Sequence, residues 1–226
     1  MDFMIIPDLD KNMHVVLVIV DVASDFTVAI YVCPGSRPTA ELAKKSFELG
    51  WLTWAGPPIT VEQDQDSTFM GEFETLCNDL GLVINNAAPE AHWQMGKVER
   101  KIRYLKEMAT SVFNAGEIRG LDSVAAAVRG TANACNQLVS TAGFSPQQWV
   151  LGSGHRLPAS LANPDNDPAV VSRVAERTPF WQRLHLQQIC SEAFFKAANS
   201  SSLRRSVLAR TRPQPGPFKQ GDLLMF

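Results

Sequence analysis

Three observations predict a mixed α/β fold for this chain. Short β-rich runs alternate with helical patterns, one of those runs is almost continuously apolar, and turn residues separate them. The first strand spans Asp2–Ile6, followed by a turn at Pro7–Asn12. Two further β-rich runs fill positions 14–33, HVVLVIVDV and FTVAIYV, parted by Ala23-Ser24-Asp25. The apolarity of the first is what a strand covered on both faces requires. After the turn cluster Cys33–Pro38, Thr39 is placed to cap a helix that runs to Leu49 and stops at Gly50. Gly56-Pro57-Pro58 breaks the chain before a strand over Ile59–Asp64. A helix over Ser67–Leu80 closed by Gly81, a short strand Leu82–Ile84, a loop Asn85–Met95 and a long helix from about Lys97 complete the unit. The expected order is β-β-β-α-β-α-β-loop-α.

Helical sequence continues over Leu121–Leu138. Ser145, Pro146 and Gln148 then form a capping box with proline at the first helical position, and Phe144 and Trp149 stand where a hydrophobic staple closes. Residues 160–170 read as linker, Thr178–Arg210 as helix, and Gly221–Phe226 as the start of a further strand. Arg204, Arg205, Arg210 and Arg212 form a sparse basic stripe in the tail, which suits DNA backbone contact or a solvated helix face.

At 226 residues the chain can bury a sizeable core, and 45% hydrophobic with 19% charged residues is ordinary globular composition. The longest apolar run, Val15–Val20, is far too short to span a bilayer, and no signal-peptide pattern opens the chain, so no membrane partner is expected and the chain reads as intracellular. Four scattered cysteines without a CxxC pair argue against a disulfide framework and a structural zinc site. The net charge of -2 conceals a division. Residues 1–90 carry 4 Lys and Arg against 14 Asp and Glu, whereas residues 91–226 carry 17 against 9. An acidic part joined to a part that meets polyanions fits that pattern.

Three carboxylates stand out: Asp2 in the first apolar strand, Asp64 at the end of a later strand, and Glu99 on the cationic helix Gly96-Lys97-Val98-Glu99-Arg100-Lys101. Carboxylates on strands and at a helix start gather hard oxygen ligands around a divalent ion, which points to metal-assisted phosphoryl chemistry on nucleic acid. Asp21 competes for the first position. In a hairpin turning near Leu9, however, Asp2 falls opposite Leu17 or Val18, leaving Asp21 roughly 10 Å further along at about 3.4 Å per residue. Asp66 competes with Asp64 but stands where an N-cap for the following helix belongs. On the Glu99 helix, Val98, Ile102, Leu105 and Val112 mark the buried face, and Glu99, Arg103 and Lys106 form a polar stripe beside it. Lys97, Arg100 and Lys101 add attraction for phosphate.

These residues resemble the catalytic core of retroelement integrases, the DDE branch of the ribonuclease H-like fold. The likeness runs from Asp2-Phe3 through Val15–Val20 and Val22-Ala23-Ser24 to Asp64-Gln65-Asp66-Ser67-Thr68-Phe69. It continues through Ala88-Pro89-Glu90-Ala91-His92-Trp93-Gln94-Met95-Gly96-Lys97-Val98-Glu99-Arg100, and Asp64 and Glu99 keep the family's interval of 35 positions. Gly143-Phe144-Ser145-Pro146, Gly152 and Leu157-Pro158 extend it, and Gly216-Pro217-Phe218 to Gly221-Asp222-Leu223 resembles the start of the family's SH3-like module. Asp66 departs from the family's usual glycine, Met95 from its usual polar residue, and the N-terminal zinc module is missing.

The resemblance implies a ribonuclease H-like mixed sheet flanked by helices, then a helical extension and the truncated start of an SH3-like module. It implies a catalytic core over 1–158, a linker over 159–177, and a terminal helix with the module's beginning over 178–226. It further implies two Mg²⁺ ions, replaceable by Mn²⁺, held by Asp2, Asp64 and Glu99 for DNA 3′-end processing and strand transfer. Gln94, Lys97, Arg100, Arg103 and Lys106 would contact DNA, Asn85–Met95 would be the active-site loop, and Gly96 its hinge. Homo-oligomerisation and nuclear action follow as family expectations. The alternative is a catalytically inactive, domesticated or decayed DNA-binding module.

Overall fold

The computed structural model describes residues 1–63, 67–86, 92–138, 144–152 and 179–208; of residues 86, 92–95, 138, 179–184, 201–203 and 205–208 it describes the backbone alone. The strands are β1 (Asp2–Pro7), β2 (Met13–Val20), β3 (Thr27–Pro34), β4 (Thr60–Gln63) and β5 (Val83–Asn86). The helices are α1 (Ala40–Phe47), α2 (Thr53–Ala55), α3 (Glu72–Asp79), α4 (His92–Ala115), α5 (Leu121–Leu138), α6 (Pro146–Leu151) and α7 (Pro179–Leu208).

Strands β1, β2 and β3 form an antiparallel sheet in that order, and β4 pairs in parallel with β5. The Met1 amino group donates to the Glu62 carbonyl at 2.6 Å, which lays β4 alongside the start of β1. Strand β2 is buried along Val15–Val20, as its continuous apolarity requires. Its alternate side chains feed two cores. Val16, Val18 and Val20 join Met4 and Ile6 under α4, α5 and α7, while Leu17 and Ile19 join Met1, Phe47, Phe69 and Phe73 on the opposite face. No described helix is long and apolar enough to cross a membrane.

Several elements differ from their sequence expectations. The helix capped by Thr39, whose hydroxyl accepts from Leu42 N at 3.3 Å, does not stop at Gly50. It continues through a π-helical turn (Glu48–Leu52) and α2, ending at Gly56. Gly50 answers a packing demand instead, since a Cβ there would overlap the Ile30 side chain of β3. The single helix expected over Ser67–Leu80 is a 3₁₀ turn (Ser67–Phe69) and α3, divided at Gly71, whose φ of 70° no other residue adopts cheaply. Helix α4 starts at His92, so the expected loop is shorter than Asn85–Met95 and Gly96 sits within a helical turn rather than at a hinge between elements. The capping box of α6 is present in both directions, Gln148 N to Ser145 Oγ at 3.3 Å and Ser145 N to Gln148 Oε1 at 2.9 Å. Its staple closes with Phe144 and Trp149 ring centroids 5.6 Å apart. The linker and the SH3-like start fall outside the described residues.

Two buried polar locks tie the sheet to its helices. Asn136 of α5 accepts from Thr27 N at 2.8 Å and donates to Thr27 O at 2.7 Å, satisfying both backbone groups at the start of β3. At the other end of the hairpin the buried Asp8 carboxylate accepts from Asp10 N and Asn12 N, each at 2.9 Å, and from Gly120 N at 3.4 Å. His14 Nε2 lies 3.2 Å from Asp8 Oδ2 and its Nδ1 3.2 Å from the Tyr31 hydroxyl, so the tautomer protonated on Nε2 satisfies all three groups. Burial alone would raise the Asp8 pKa; hydrogen bonds from His14, Asn12 and Gly120 outweigh it and hold the carboxyl down at about 2. Burial pushes the thiols of Cys77, Cys135 and Cys190 up to about 11, which keeps them protonated and unreactive.

Replacing Asn136 by Ala strands two buried backbone groups and should cost about 2–4 kcal/mol in urea unfolding. A loss below about 0.5 kcal/mol would show that the lock carries no weight. The Asp8 network sets a pH dependence. Because the folded pKa lies below the ordinary value of 3.8, its contribution is complete above about pH 4 and is lost as the pH falls toward 2. The stability gap between wild type and Asp8→Asn should therefore narrow over that interval; a gap independent of pH contradicts the assignment.

Candidate active site

Asp2 is half-buried and pairs across the hairpin with Val18, as the turn geometry requires. It shares the sheet face of Met4 and Ile6, which α4 covers. Its Oδ1 accepts from Phe3 N at 2.6 Å. Asp21 follows β2 and opens the β2–β3 turn. Its Oδ2 accepts from the Ser24 amide at 2.9 Å and from the Ser24 hydroxyl, and its backbone closes the β2–β3 turn with Phe26 and Asp25. That carboxylate shapes a turn beyond the register of Asp2, and Asp21 also lines a cleft shared with Met1 and Val98.

Glu99 is exposed on α4, one position after Val98, which is buried in the core that Met4 and Val18 also build. Asp64, one position past β4, lies outside the described residues, as does Asp66. Gln94 lies in the first turn of α4, with only its backbone described.

A cleft of about 510 Å³ connects the three neighbourhoods. Its walls include Met1 beside Asp2, Asp21 and Val22 after β2, Glu62 near the end of β4, Asn85 of β5, and Val98 beside Glu99. The carboxylates of Asp2 and Glu99 are hard oxygen donors of the kind Mg²⁺ prefers, so the donor chemistry fits the expected ion. Among the described residues, no group of three His, Cys, Asp or Glu side chains comes together as a metal site.

The cations of α4 divide into two groups. The Lys97 ammonium pairs with Asp25 at 2.7 Å and donates to the Val22 carbonyl, tying α4 to the β2–β3 turn. Arg100 and Arg103 are exposed and line a groove between α4 and α7, whereas Lys106 is exposed outside it. The sequence reading missed most of the second wall of that groove: Lys196, Ser200 and Arg204 recur at four-residue intervals, a single face of α7.

Neither a protein-family model nor a curated protein sequence matches the chain. Solved structures do. A chain of the simian T-cell lymphotropic virus intasome in complex with PP2A regulatory subunit B56 gamma aligns at a TM-score of 0.55 and 20% identity, over 74% of this chain and 57% of that one. The fold is that of a retroviral integrase catalytic core. The HTLV-2 integrase catalytic core domain in complex with magnesium, in its dimeric form, aligns at 0.50 and 17% identity, over 65% of this chain and 91% of the other. The BIV integrase catalytic core domain aligns at 0.50 and 20% identity, over 67% and 92%. The chain thus spans 57% of the length of the intasome chain but nearly all of the isolated integrase cores. A mixed α/β architecture with a sheet flanked by helices agrees with that fold.

Proposed function

We propose that the chain is the catalytic core of a retroelement integrase, performing metal-dependent DNA 3′-end processing and strand transfer. One observation carries the reading: Asp2 lies on the sheet face that α4 covers, and one cleft is lined by residues adjoining Asp2, the end of β4 and Glu99. Asp64 is the next residue in sequence after β4, whose Thr60, Val61 and Glu62 line that cleft. Asp2, Asp64 and Glu99 would hold the ions. Bound divalent ions supply activation of the attacking oxygen and stabilisation of the departing 3′-oxygen.

The chain's own residues do the rest. The strand fixes Asp2 through its pairing with Val18, and Val98 anchors the turn from which Glu99 projects. Lys97 holds the start of α4 to the β2–β3 turn, while Arg100 and Arg103 offer charge to a DNA backbone. DNA is the proposed partner, and two or more copies the proposed working form, as dimeric and trimeric forms of the HTLV-2 core illustrate for that protein.

Gathering carboxylates without a counter-ion is unfavourable, so metal should stabilise the fold. In thermal unfolding, saturating Mn²⁺ or Mg²⁺ should raise the wild-type Tm by about 5 °C, the effect of ligand at about a hundred times its Kd. Glu99→Gln should lose most of that shift while melting normally without metal. An equal response in both proteins removes Glu99 from the site. No response in either replaces the catalytic reading with that of a silent DNA-binding scaffold.

A further inference from the structure

The groove between α4 and α7 has a volume of about 800 Å³ and lies apart from the carboxylate cleft, sharing none of its lining residues. Among the described residues, six cations line it against two carboxylates, and one of those, Asp25, is already paired with Lys97. Arg100, Lys101 and Arg103 stand on one wall, and Lys196 and Arg204 on the other. Such like charges repel, and facing them across a groove is costly unless an anion fills it. The floor is apolar and firm. Tyr104 packs edge-on against Phe194 with centroids 6.3 Å apart, and the small Ala193 and Ala197 leave the space open. Burial pushes the Tyr104 phenol up to about 12, so it stays a hydroxyl able to donate, as Ser200 also can.

We infer that this groove binds the phosphate backbone of a nucleic acid, with α7 supplying one of its two walls. Closely spaced phosphates match cations presented from both sides. A groove lined along α4 from Lys97 to Ser111 and along α7 from Ala193 to Arg204 offers cations in series to a continuous backbone. Arginine forks and lysines contact phosphate oxygens without reading bases, so binding is independent of sequence and falls steeply with salt. The inference deepens the proposed function and rests on it for the identity of the polyanion, but it requires no metal.

The test uses the full chain in chelator, with a fluorescent DNA duplex of arbitrary sequence titrated at several salt concentrations. Lys196→Gln/Arg204→Gln removes two cations from α7 and leaves the proposed metal ligands intact. Lys44→Gln/Lys45→Gln, on α1, removes the same charge elsewhere. The α7 variant should bind at least about fivefold more weakly at about 0.1 M salt. It should also reduce the slope of log K against log salt by about 2, close to one unit for each phosphate that is no longer neutralised. The α1 variant should behave as wild type. If the two variants weaken equally, the groove has no role beyond net charge and the inference falls. If inorganic tripolyphosphate binding depends on Lys196 and Arg204 while duplex binding does not, the groove takes a small free polyphosphate and the assignment to nucleic acid is overturned. Since no metal is present, loss of the metal-dependent Tm shift leaves this result unaffected, and the two readings fail separately.

Discussion

Burial of one stripe of α4 against the β1–β2 hairpin is the constraint on which the rest of the structure depends. Val98, Ile102, Leu105, Met108, Ala109 and Val112 are all buried there, at intervals that keep to one helix face. Truncating any one of the larger side chains would cost about 2–5 kcal/mol in a core packed this closely. The stripe fixes both the rotation and the axial position of the helix. Glu99, next to Val98, therefore has a defined direction, and the cations at positions 97, 100, 101 and 103 line one wall of the groove. The opposing partner of that stripe is the sheet face bearing Met4 and Ile6, where Asp2 also sits. The same packing that stabilises the domain thus sets the strand bearing Asp2 against the helix bearing Glu99.

Polar contacts specify what apolar burial alone leaves loose. Apolar packing would tolerate some sliding of α5 over β3, but the paired hydrogen bonds of Asn136 with Thr27 allow one register. Asp8, His14 and Tyr31 do the same for the far end of the hairpin, and the contact of Gly120 N with Asp8 ties that end to the corner between α4 and α5. The first lock holds the β2–β3 turn near the start of α4, where Lys97 pairs with Asp25. Rigidity around the cleft is therefore achieved by residues that take no part in chemistry.

How much of this is legible in the sequence depends on the range of the interaction. Strand β2, the α5 boundaries and the capping box at Ser145 follow from neighbours within four residues, and they stand where expected. Hairpin register is a short-range property, and Asp2 does pair with Val18 as expected. Gly50 misleads because a helix-ending glycine and a close-packed glycine look alike in sequence, and only the approach of Ile30 separates them. The Asn136–Thr27 lock joins residues 109 positions apart, beyond any local pattern. The α7 wall is half visible: Arg204 belongs to the basic stripe of the tail, but Lys196 and Ser200 acquire meaning only where α7 crosses α4. The fold itself is legible through the ordered acidic and basic blocks, and solved integrase cores share it at 17–20% identity.

The central claim is that carboxylates on β1, after β4 and on α4 act together on DNA. Its most direct test is cutting of an end-labelled duplex in Mn²⁺ by the wild type and by Asp64→Asn, each first checked for an unchanged Tm without metal. The account predicts that the wild type cuts and that Asp64→Asn, one oxygen ligand poorer in charge, does not. Equal cutting by both proteins, or cutting by neither, would contradict it.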